Sequence, residues 1–336
     1  MQVIWRAFMS QTASGTKGAF TMRRPRKIVF AFRRGQAQMG GKLMRVDQLC
    51  ELATAHLPDD QYQVSPAFVP RDRFVTQTRR FIDACRGAVV IFHKSAAANA
   101  GPATRKAIRT TAAGICVDHL DIVVDPLERG FFDVHIAASR AGEAELTQHL
   151  SALSPVAGTQ VRHLRHHSDP RLKLRASEQL TEFTPGYFGL PDNTDSHARF
   201  PADTLVPDYK PTEIDSFVTA LPKSNFHLCT RQPFAKRSHG ILATKPFTKG
   251  FNAAAVGANV LVNRQVHDAV HYLGEDYPFM LKDSSPEDFA EGLNHARDAY
   301  GTTEWQIGLD RMGDMAARVA PAEVARELRQ IVDLFG

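Results

Sequence analysis

One stretch of the chain lacks acidic residues and holds the side chains best suited to binding an anion. From Ser216 to His267 no Asp or Glu occurs in 52 residues. The same stretch carries lysines and arginines at Lys223, Arg231, Lys236, Arg237, Lys245, Lys249 and Arg264. Cations without carboxylates nearby favour an anionic ligand. The alternative interpretation is a solvated basic loop, which is common in proteins.

The centre of this stretch has the pattern of a loop that enters a short helix. Thr248 is predicted to be the N-cap of that helix, and Gly257 is predicted to end it. Lys249 and Gly250 then lie in the first turn, where free backbone N–H groups can bind a phosphate. Gly250 has no Cβ to obstruct an oxyanion, and Lys245 adds positive charge. The pattern therefore predicts a phosphate-binding helix start.

Length and composition limit the class of protein. The chain has 336 residues, 43% apolar and 23% charged, which is typical of a soluble globular protein with two domains. The net charge of +5 permits an anionic ligand, but no nucleic-acid-binding signature is present, so we expect no nucleic-acid partner. The four cysteines form no CxxC pair and indicate reduced, buried thiols in a cytoplasmic protein.

Apolar runs alternate with helical patterns after Met22, which predicts an α/β fold. The predicted strands are 27–32, 61–69, 88–92, 114–117, 134–138, 160–164, 183–189, 225–229, 259–262 and 277–281. The predicted helices are 42–56, 72–85, 102–111, 140–151, 213–221, 248–256, 266–273, 286–299, 303–319 and 322–334. We expect 1–21 to be a disordered extension or an over-assigned start, 22–167 and 182–336 to be two domains, and 168–181 to link them.

Polar side chains at two predicted strand ends are candidate catalytic groups. Asp118 and His93 lie where α/β folds place functional residues, and either could act as general base on a hydroxyl. The alternatives are a turn-forming aspartate and a structural histidine. His163 and His166 face opposite sides of a strand pattern, so we expect no metal site there.

Several of these segments resemble one enzyme family. Asn252-Ala-Ala-Ala-Val-Gly-Ala-Asn-Val-Leu261 resembles the Glu-Ala-Met-Ala-x-Gly-x-Pro-Val-Val pattern of GT-B glycosyltransferases of the family 1 and 4 type. Arg33-Arg-Gly-Gln-Ala-Gln-Met-Gly-Gly-Lys42 resembles the glycine-bearing loop that faces the cleft of that family. Asp133-Val-His-Ile-Ala-Ala-Ser139 resembles the strand that precedes a cleft serine. The resemblance covers most of residues 27–336.

The resemblance implies a fold and a reaction. The fold would be two Rossmann-like domains facing a cleft, with the C-terminal helices closing back on the first domain. The reaction would transfer a sugar from a nucleotide-diphosphate donor to an acceptor hydroxyl without a metal or other cofactor. The implied donor residues are Lys245, Thr248, Lys249, Gly250, Arg231 and Lys236, with Asn252 at the ribose. The acceptor side would hold Gly40 and Gly41, with Asp118 or His93 as the catalytic group.

One departure from the family bears on catalysis. Retaining GT-B enzymes usually carry two glutamates eight positions apart, and the aligned positions here are Thr244 and Asn252. The alternative function is therefore a non-catalytic protein that binds nucleotides or anions on the same fold. A nucleotide-sugar epimerase is less favoured, because it would need carboxylates where this chain has mainly basic residues.

The resemblance also implies a cellular setting. Such enzymes commonly build cell-surface polysaccharide, so a glycan is the expected acceptor. The ten lysines and arginines among residues 1–46 suit peripheral contact of a cytoplasmic protein with anionic inner-membrane lipid.

Overall fold

The computed structural model describes residues 24–36, 40–121, 130–152, 158–189, 200–207, 215–232, 237–238 and 241–336. The expected extension 1–21 and the candidate residue Lys236 lie outside these ranges. The described elements form two parallel β-sheets covered by helices, as the α/β pattern predicts.

The first sheet contains six parallel strands in the order β2-β1-β3-β4-β5-β6. Its strands are β1 Arg26–Phe32, β2 Tyr62–Phe68, β3 Ala88–His93, β4 Gly114–Leu120, β5 Val134–Ala137 and β6 Gln160–His163. Every residue of β3 and β4 is buried, because helices cover both faces of the sheet. The carboxyl ends of these strands meet at one edge, which places the residues after β3, β4 and β5 side by side.

Two layers of helices cover this sheet. The helices of the first domain are α1 Gly40–Lys42, α2 Gln48–His56, α3 Val75–Cys85, α4 Pro102–Thr111 and α5 Arg140–Ala152. A π-helical stretch, Leu43–Asp47, joins α1 to α2. One core cluster lies between the sheet and α2, and another lies on the side that holds Phe81 of α3 and Ile108 of α4.

The second sheet has four parallel strands in the order β12-β11-β8-β7. The strands of the second half are β7 Pro185–Gly186, β8 Phe226–Leu228, the pair β9 Arg237–Ser238 and β10 Ile241–Leu242, β11 Asn259–Asn263 and β12 Met280–Leu281. Its helices are α6 Asp215–Ala220, α7 Thr248–Val256, α8 Ala269–Leu273, α9 Pro286–Asp298, α10 Thr303–Arg318 and α11 Pro321–Val332. No described helix is long and apolar enough to cross a bilayer.

The last helix returns to the first domain. Trp305 and Met315 of α10 belong to the core of the second domain, whereas Val324, Leu328 and Ile331 of α11 belong to the core of the first. The chain therefore crosses between the domains a second time just before Pro321. The expected closure of the C-terminal helices on the first domain is confirmed for α11.

The predicted elements and the observed ones differ mainly at their ends. The helical run predicted from residue 42 begins at Gly40, so Gly40 and Gly41 lie in a first helical turn rather than in a loop. β7 and β12 are only two residues long, although seven and five residues were predicted. Apolar runs there pack into the core as irregular chain, which a hydropathy pattern does not distinguish from a strand.

The packing of α11 gives a prediction about stability. Leu328 is 1% exposed in the core of the first domain, so Leu328→Ala should lower the free energy of unfolding by about 2–5 kcal/mol. Leu334→Ala is the control, because Leu334 is 43% exposed and should change stability by less than about 1 kcal/mol. Urea unfolding measures both; equal effects would mean that α11 contributes little to this core.

Candidate functional site

The start of α7 lies at the edge of the second sheet that faces the first domain. The N-cap is Phe247, not Thr248, so the predicted register was wrong by one residue. The first intrahelical bond runs from the Phe251 N–H to the Phe247 carbonyl. The N–H groups of Thr248, Lys249 and Gly250 therefore have no acceptor within the helix. Gly257 ends the helix in the left-handed conformation, as predicted.

Gly250 is glycine for a different reason from the one predicted. A Cβ at this position would lie 2.2 Å from a carbon of the Phe247 ring. The missing side chain thus makes room for Phe247 to fold under the helix start, and not for an oxyanion. Phe247 is itself buried and packs edge-on against Phe251.

Cationic side chains gather around this helix start. A small cavity of about 30 Å³ is lined by Cys229, Arg231, Lys245, Pro246, Phe247, Lys249, Gln265, Val266 and His267. Among these described lining residues none is acidic. We refer to this space as the cationic cavity. Burial lowers the pKa of Arg231, because holding a charged guanidinium away from water is unfavourable.

Lys249 is the most constrained of these cations. Its Nζ lies 4.0 Å from the centre of the Tyr187 ring, in a cation–π contact. A Cβ on Gly189 would approach Lys249 Nζ to 2.8 Å, so the chain passes close to the ammonium at this glycine. Burial, together with the nearby Arg231, lowers the pKa of Lys249 to about 8. An anion in the cavity would relieve both effects.

His267 adds a hydrogen-bond donor to the same cavity. Its Nδ1 accepts a hydrogen bond from the Lys245 N–H at 3.0 Å. Burial lowers the pKa of His267, so the imidazole is neutral near pH 7. We therefore assign the ring proton to Nε2, which can donate to a ligand.

A larger cavity adjoins the cationic one. It has a volume of about 180 Å³ and is lined by Gly40, Leu43, Met44, Asp169, Phe188, Phe217, Val218, Leu221, His227, Leu228, Cys229, Thr248, Lys249 and Asn252. Most of these residues are apolar, and we refer to this space as the apolar cavity. Lys249 and Cys229 line both cavities, so the two spaces meet at the Lys249 side chain. The apolar cavity is also where Gly40 of the first domain comes close to Thr248 of the second.

The first domain places Gly41 against His93. A Cβ on Gly41 would lie 3.0 Å from Leu120 Cδ2 and 3.6 Å from His93 Nε2, so glycine permits this close approach. Burial lowers the pKa of His93 to about 4, and the imidazole is therefore neutral near pH 7. The structure brings these two predicted residues together at the carboxyl edge of the sheet.

Asp118 occupies a closed environment. Its Oδ2 lies 2.7 Å from Arg45 Nε in an ion pair whose side chains are 0% and 2% exposed. Its Oδ1 accepts the Leu120 N–H at 3.1 Å. A general base must reach a hydroxyl of the substrate. With both oxygens engaged below the surface, Asp118 has the geometry of a structural residue, as the alternative interpretation held.

Asp121, three residues further on, is the carboxylate that faces the cleft. Its Oδ1 lies 2.6 Å from Lys94 Nζ, and its Oδ2 lies 3.2 Å from Lys245 Nζ of the second domain. Burial raises the pKa of Asp121, but the two ammonium groups lower it more, and the net pKa is below the ordinary value. The sequence analysis did not select Asp121, Lys94 or Tyr187, although Asp121 belongs to the same strand end as Asp118.

Further contacts join the domains across the cleft. The Asp268 carboxylate accepts the N–H groups of Arg140 and Ala141 at 2.8 and 3.0 Å, at the start of α5. Ser139 Oγ lies 3.2 Å from Thr244 Oγ1. A carboxylate at a helix N-terminus is favourable for both hydrogen bonding and the helix dipole. The cleft is therefore narrow at this end.

The two positions aligned with the family glutamates have structural partners. Thr244 makes the contact with Ser139 described above. Asn252 Oδ1 accepts the Asp169 N–H at 2.9 Å, which ties α7 to the segment linking the domains. Only the amide nitrogen of Asn252 remains to face the apolar cavity.

Within the described residues, no group of three or more His, Cys, Asp or Glu side chains is arranged to hold a metal ion.

Comparison with solved structures identifies the architecture. HepE from Anabaena, in complex with UDP, is 11% identical with a TM-score of 0.58, over 91% of this chain and 100% of that one. A glycosyltransferase from Rickettsia africae is 9% identical with a TM-score of 0.60, over 93% and 99%. The lipopolysaccharide outer core galactosyltransferase WaaB is 8% identical with a TM-score of 0.57, over 92% and 99%. This protein has the GT-B glycosyltransferase fold.

No protein-family model and no curated protein matches the sequence. At 8–11% identity the structural similarity establishes the GT-B fold alone. In this GT-B fold the cationic cavity is lined by residues of the second domain, and the apolar cavity is lined by residues of both domains. The residues that line them must therefore carry any argument about function.

The closed environment of Asp118 gives a second prediction. Asp118→Asn leaves the buried Arg45 guanidinium without its counter-charge and should destabilise the fold by about 3–5 kcal/mol. Asp83→Asn is the control, because the Asp83–Arg86 pair is exposed and should contribute less than about 1 kcal/mol. Chemical denaturation compares the two variants; a fully stable Asp118→Asn protein would reopen the catalytic interpretation of Asp118.

Proposed function

We propose that this protein is a glycosyltransferase that moves a sugar from a nucleotide-diphosphate donor to an acceptor hydroxyl. The observation that carries this proposal is the junction of two cavities at Lys249. An apolar cavity suits a nucleoside, and a cationic cavity suits a diphosphate, in the order in which the donor presents them. HepE, which shares the fold, binds UDP and UDP-glucose, and we therefore propose a ligand of this chemical class for the two cavities.

The diphosphate is proposed to bind at the start of α7. The N–H groups of Thr248, Lys249 and Gly250 have no acceptor within the helix there, and the Lys245 ammonium, which pairs with Asp121, adds positive charge beside them. Arg231 lines the same cavity, and Lys236, which is proposed to add charge, lies outside the described residues. These cations would neutralise the charge that builds on the leaving diphosphate, so the proposal includes no metal ion.

The nucleoside is proposed to occupy the apolar cavity. Phe188 and Phe217 offer aromatic surface to a base, and Phe188 is held by a ring contact with His227 at 4.5 Å between centroids. The Asn252 amide nitrogen would donate to a ribose oxygen, in place of a carboxylate that accepts from the ribose hydroxyls. The acceptor would approach from Gly40, Gly41 and His93 of the first domain.

A non-catalytic binding protein is the alternative. The absence of carboxylates at positions 244 and 252 favours it, because a protein that only binds a nucleotide needs no group at the reacting carbon. Both functions share the same anion site. They differ in whether the sugar is released or transferred after binding.

The wider role is proposed from the neighbouring enzymes. WaaB acts on the lipopolysaccharide outer core, as its name states, and a glycan acceptor is therefore the proposed class here. The basic residues at the beginning of the chain would place a cytoplasmic enzyme near anionic lipid, where such acceptors are made. Sedimentation with vesicles of phosphatidylglycerol, compared with neutral vesicles, tests this contact.

The proposed diphosphate site predicts the effect of removing each lysine. Lys249→Met and Lys245→Met should each weaken UDP binding roughly ten- to a hundredfold, because a charge-assisted hydrogen bond is worth about 1.5–3 kcal/mol. Lys282→Met removes an exposed lysine of the same domain and should leave the affinity unchanged. Isothermal titration calorimetry measures all three. If the affinity for UDP is unchanged in both site variants, the diphosphate binds elsewhere.

The lowered pKa of Lys249 predicts a pH dependence of binding. Because this pKa is about 8, the ammonium is present below pH 8 and is lost as the pH rises through that value. A bound diphosphate favours the charged form, so the affinity for UDP should fall by up to about tenfold per pH unit above pH 8. Lys249→Met should show a flat profile between pH 8 and 9.5. A wild-type affinity that is constant over this range would contradict the assignment.

A further inference from the structure

The cleft contains a carboxylate that neither the resemblance nor the anion site accounts for. Asp121 projects from the first domain toward the cationic cavity, and its side chain is 18% exposed. The ion pairs with Lys94 and Lys245 hold it between the two domains. Asp118, by contrast, faces Arg45 in the interior. Two carboxylates on one strand end thus have opposite surroundings.

An irregularity in the backbone aims Asp121 at the cleft. The pairing of β4 with β5 shifts register between Asp118 and Leu120, and Leu120 adopts a left-handed φ of 58°. Lys94, at the end of the neighbouring strand, has a left-handed φ of 48°. A non-glycine residue in this region is strained and persists mainly where the structure has a use for it. Bulges of this kind re-aim side chains next to active sites.

The position of Asp121 relative to the proposed donor follows from Lys245. An ammonium holds a phosphate oxygen at about 2.7–2.9 Å, and Asp121 Oδ2 lies 3.2 Å from the same nitrogen. The carboxylate is then within about 6 Å of an oxygen of the diphosphate. The oxygen bonded to the anomeric carbon belongs to the same diphosphate, so a sugar on the Lys245 side of that group would lie beside Asp121.

We propose that Asp121 is the catalytic carboxylate of this cleft, an assignment that rests on the proposed transferase function. The bond between the anomeric carbon and the phosphate oxygen breaks, and its electron pair goes to the diphosphate, where the second-domain cations stabilise it. Positive charge develops on the sugar carbon beside the Asp121 carboxylate. The acceptor oxygen bonds to that carbon, and its proton passes to Asp121 and then to water.

Binding of the diphosphate also makes the Asp121 carboxylate a better proton acceptor. When the diphosphate takes the ammonium of Lys245, Asp121 keeps Lys94 as its partner and loses one of the two cations that disfavour its protonation. The first domain in this way supplies the negative charge that the second-domain wall lacks. An acceptor hydroxyl becomes strongly acidic as it bonds to the anomeric carbon, so a carboxylate with an ordinary or lowered pKa can receive its proton.

Asp121→Asn tests the assignment, since it keeps the shape and removes the charge. The probes are UDP for affinity, by calorimetry, and UDP-glucose, UDP-galactose and UDP-N-acetylglucosamine for turnover, by release of UDP to water. UDP should bind Asp121→Asn as tightly as wild type or up to about tenfold more tightly, because the carboxylate that competes with the phosphate for Lys245 is gone. Turnover should fall by roughly 10²- to 10⁴-fold. A folding defect would weaken binding, so these opposite changes separate chemistry from stability.

Asp276→Asn is the matched control, because Asp276 pairs with Arg311 at 2.9 Å on the exposed surface of the second domain. It should alter neither binding nor turnover. If Asp121→Asn retains turnover within about threefold, or loses UDP binding together with turnover, the catalytic assignment is wrong and the proposed function stands. If the wild-type protein itself binds UDP without releasing it from any of the three sugars, the protein is the non-catalytic binder. In that case the proposed function and the role of Asp121 fail together.

Discussion

The site depends on a charge imbalance between the two walls of the cleft. The second domain presents Lys245, Lys249 and Arg231 to a cavity in which no described lining residue is acidic. Burying cations without counter-charges is unfavourable, and the lowered pKa values of Lys249 and Arg231 are the result of that cost. Part of the compensation comes from the opposite wall, through Asp121. The charge arrangement of this site is therefore one that an anion would stabilise.

The same principle governs the other contacts across the cleft. Asp268 of the second domain supplies a carboxylate to the free N–H groups at the start of α5 in the first. In the reverse direction, Asp121 of the first domain supplies a carboxylate to Lys245 of the second. Each domain thus contains a positively charged or N–H-donating group that is partnered by a carboxylate of the other domain. Such reciprocal contacts fix the relative position of the two sheets near the anion site while leaving the apolar cavity open.

The sequence was sufficient to predict the architecture and the segment whose cations gather at the start of α7. Alternating apolar runs located the strands of the first sheet, and α4 and α7 were predicted with their observed bounds. These features depend on local periodicity and on helix signals such as Gly257. The absence of acids from 216–267 correctly indicated where cations converge, because no local carboxylate could pair with them. The predicted roles of these residues remain proposals.

What the sequence did not predict depends on contacts between distant residues. Gly250 is required by the Phe247 ring, a contact that only the folded turn creates. Asp118 and Asp121 are both aspartates at one strand end, and only the folded contacts show that Asp118 pairs with Arg45 and Asp121 with Lys245. The partner of Lys245 lies 124 residues away in the other domain. Hydropathy and propensity carry no information about such pairs.

The loss of the family glutamates is easier to understand in this arrangement. A carboxylate at position 244 would face Ser139 in a narrow part of the cleft, next to the lysine that Asp121 already neutralises. A carboxylate at 252 could not accept the Asp169 N–H without changing the charge balance around the linker. With Thr and Asn at these positions, the second domain keeps its full positive charge for an anion. The negative charge beside Lys245 comes instead from Asp121 of the first domain.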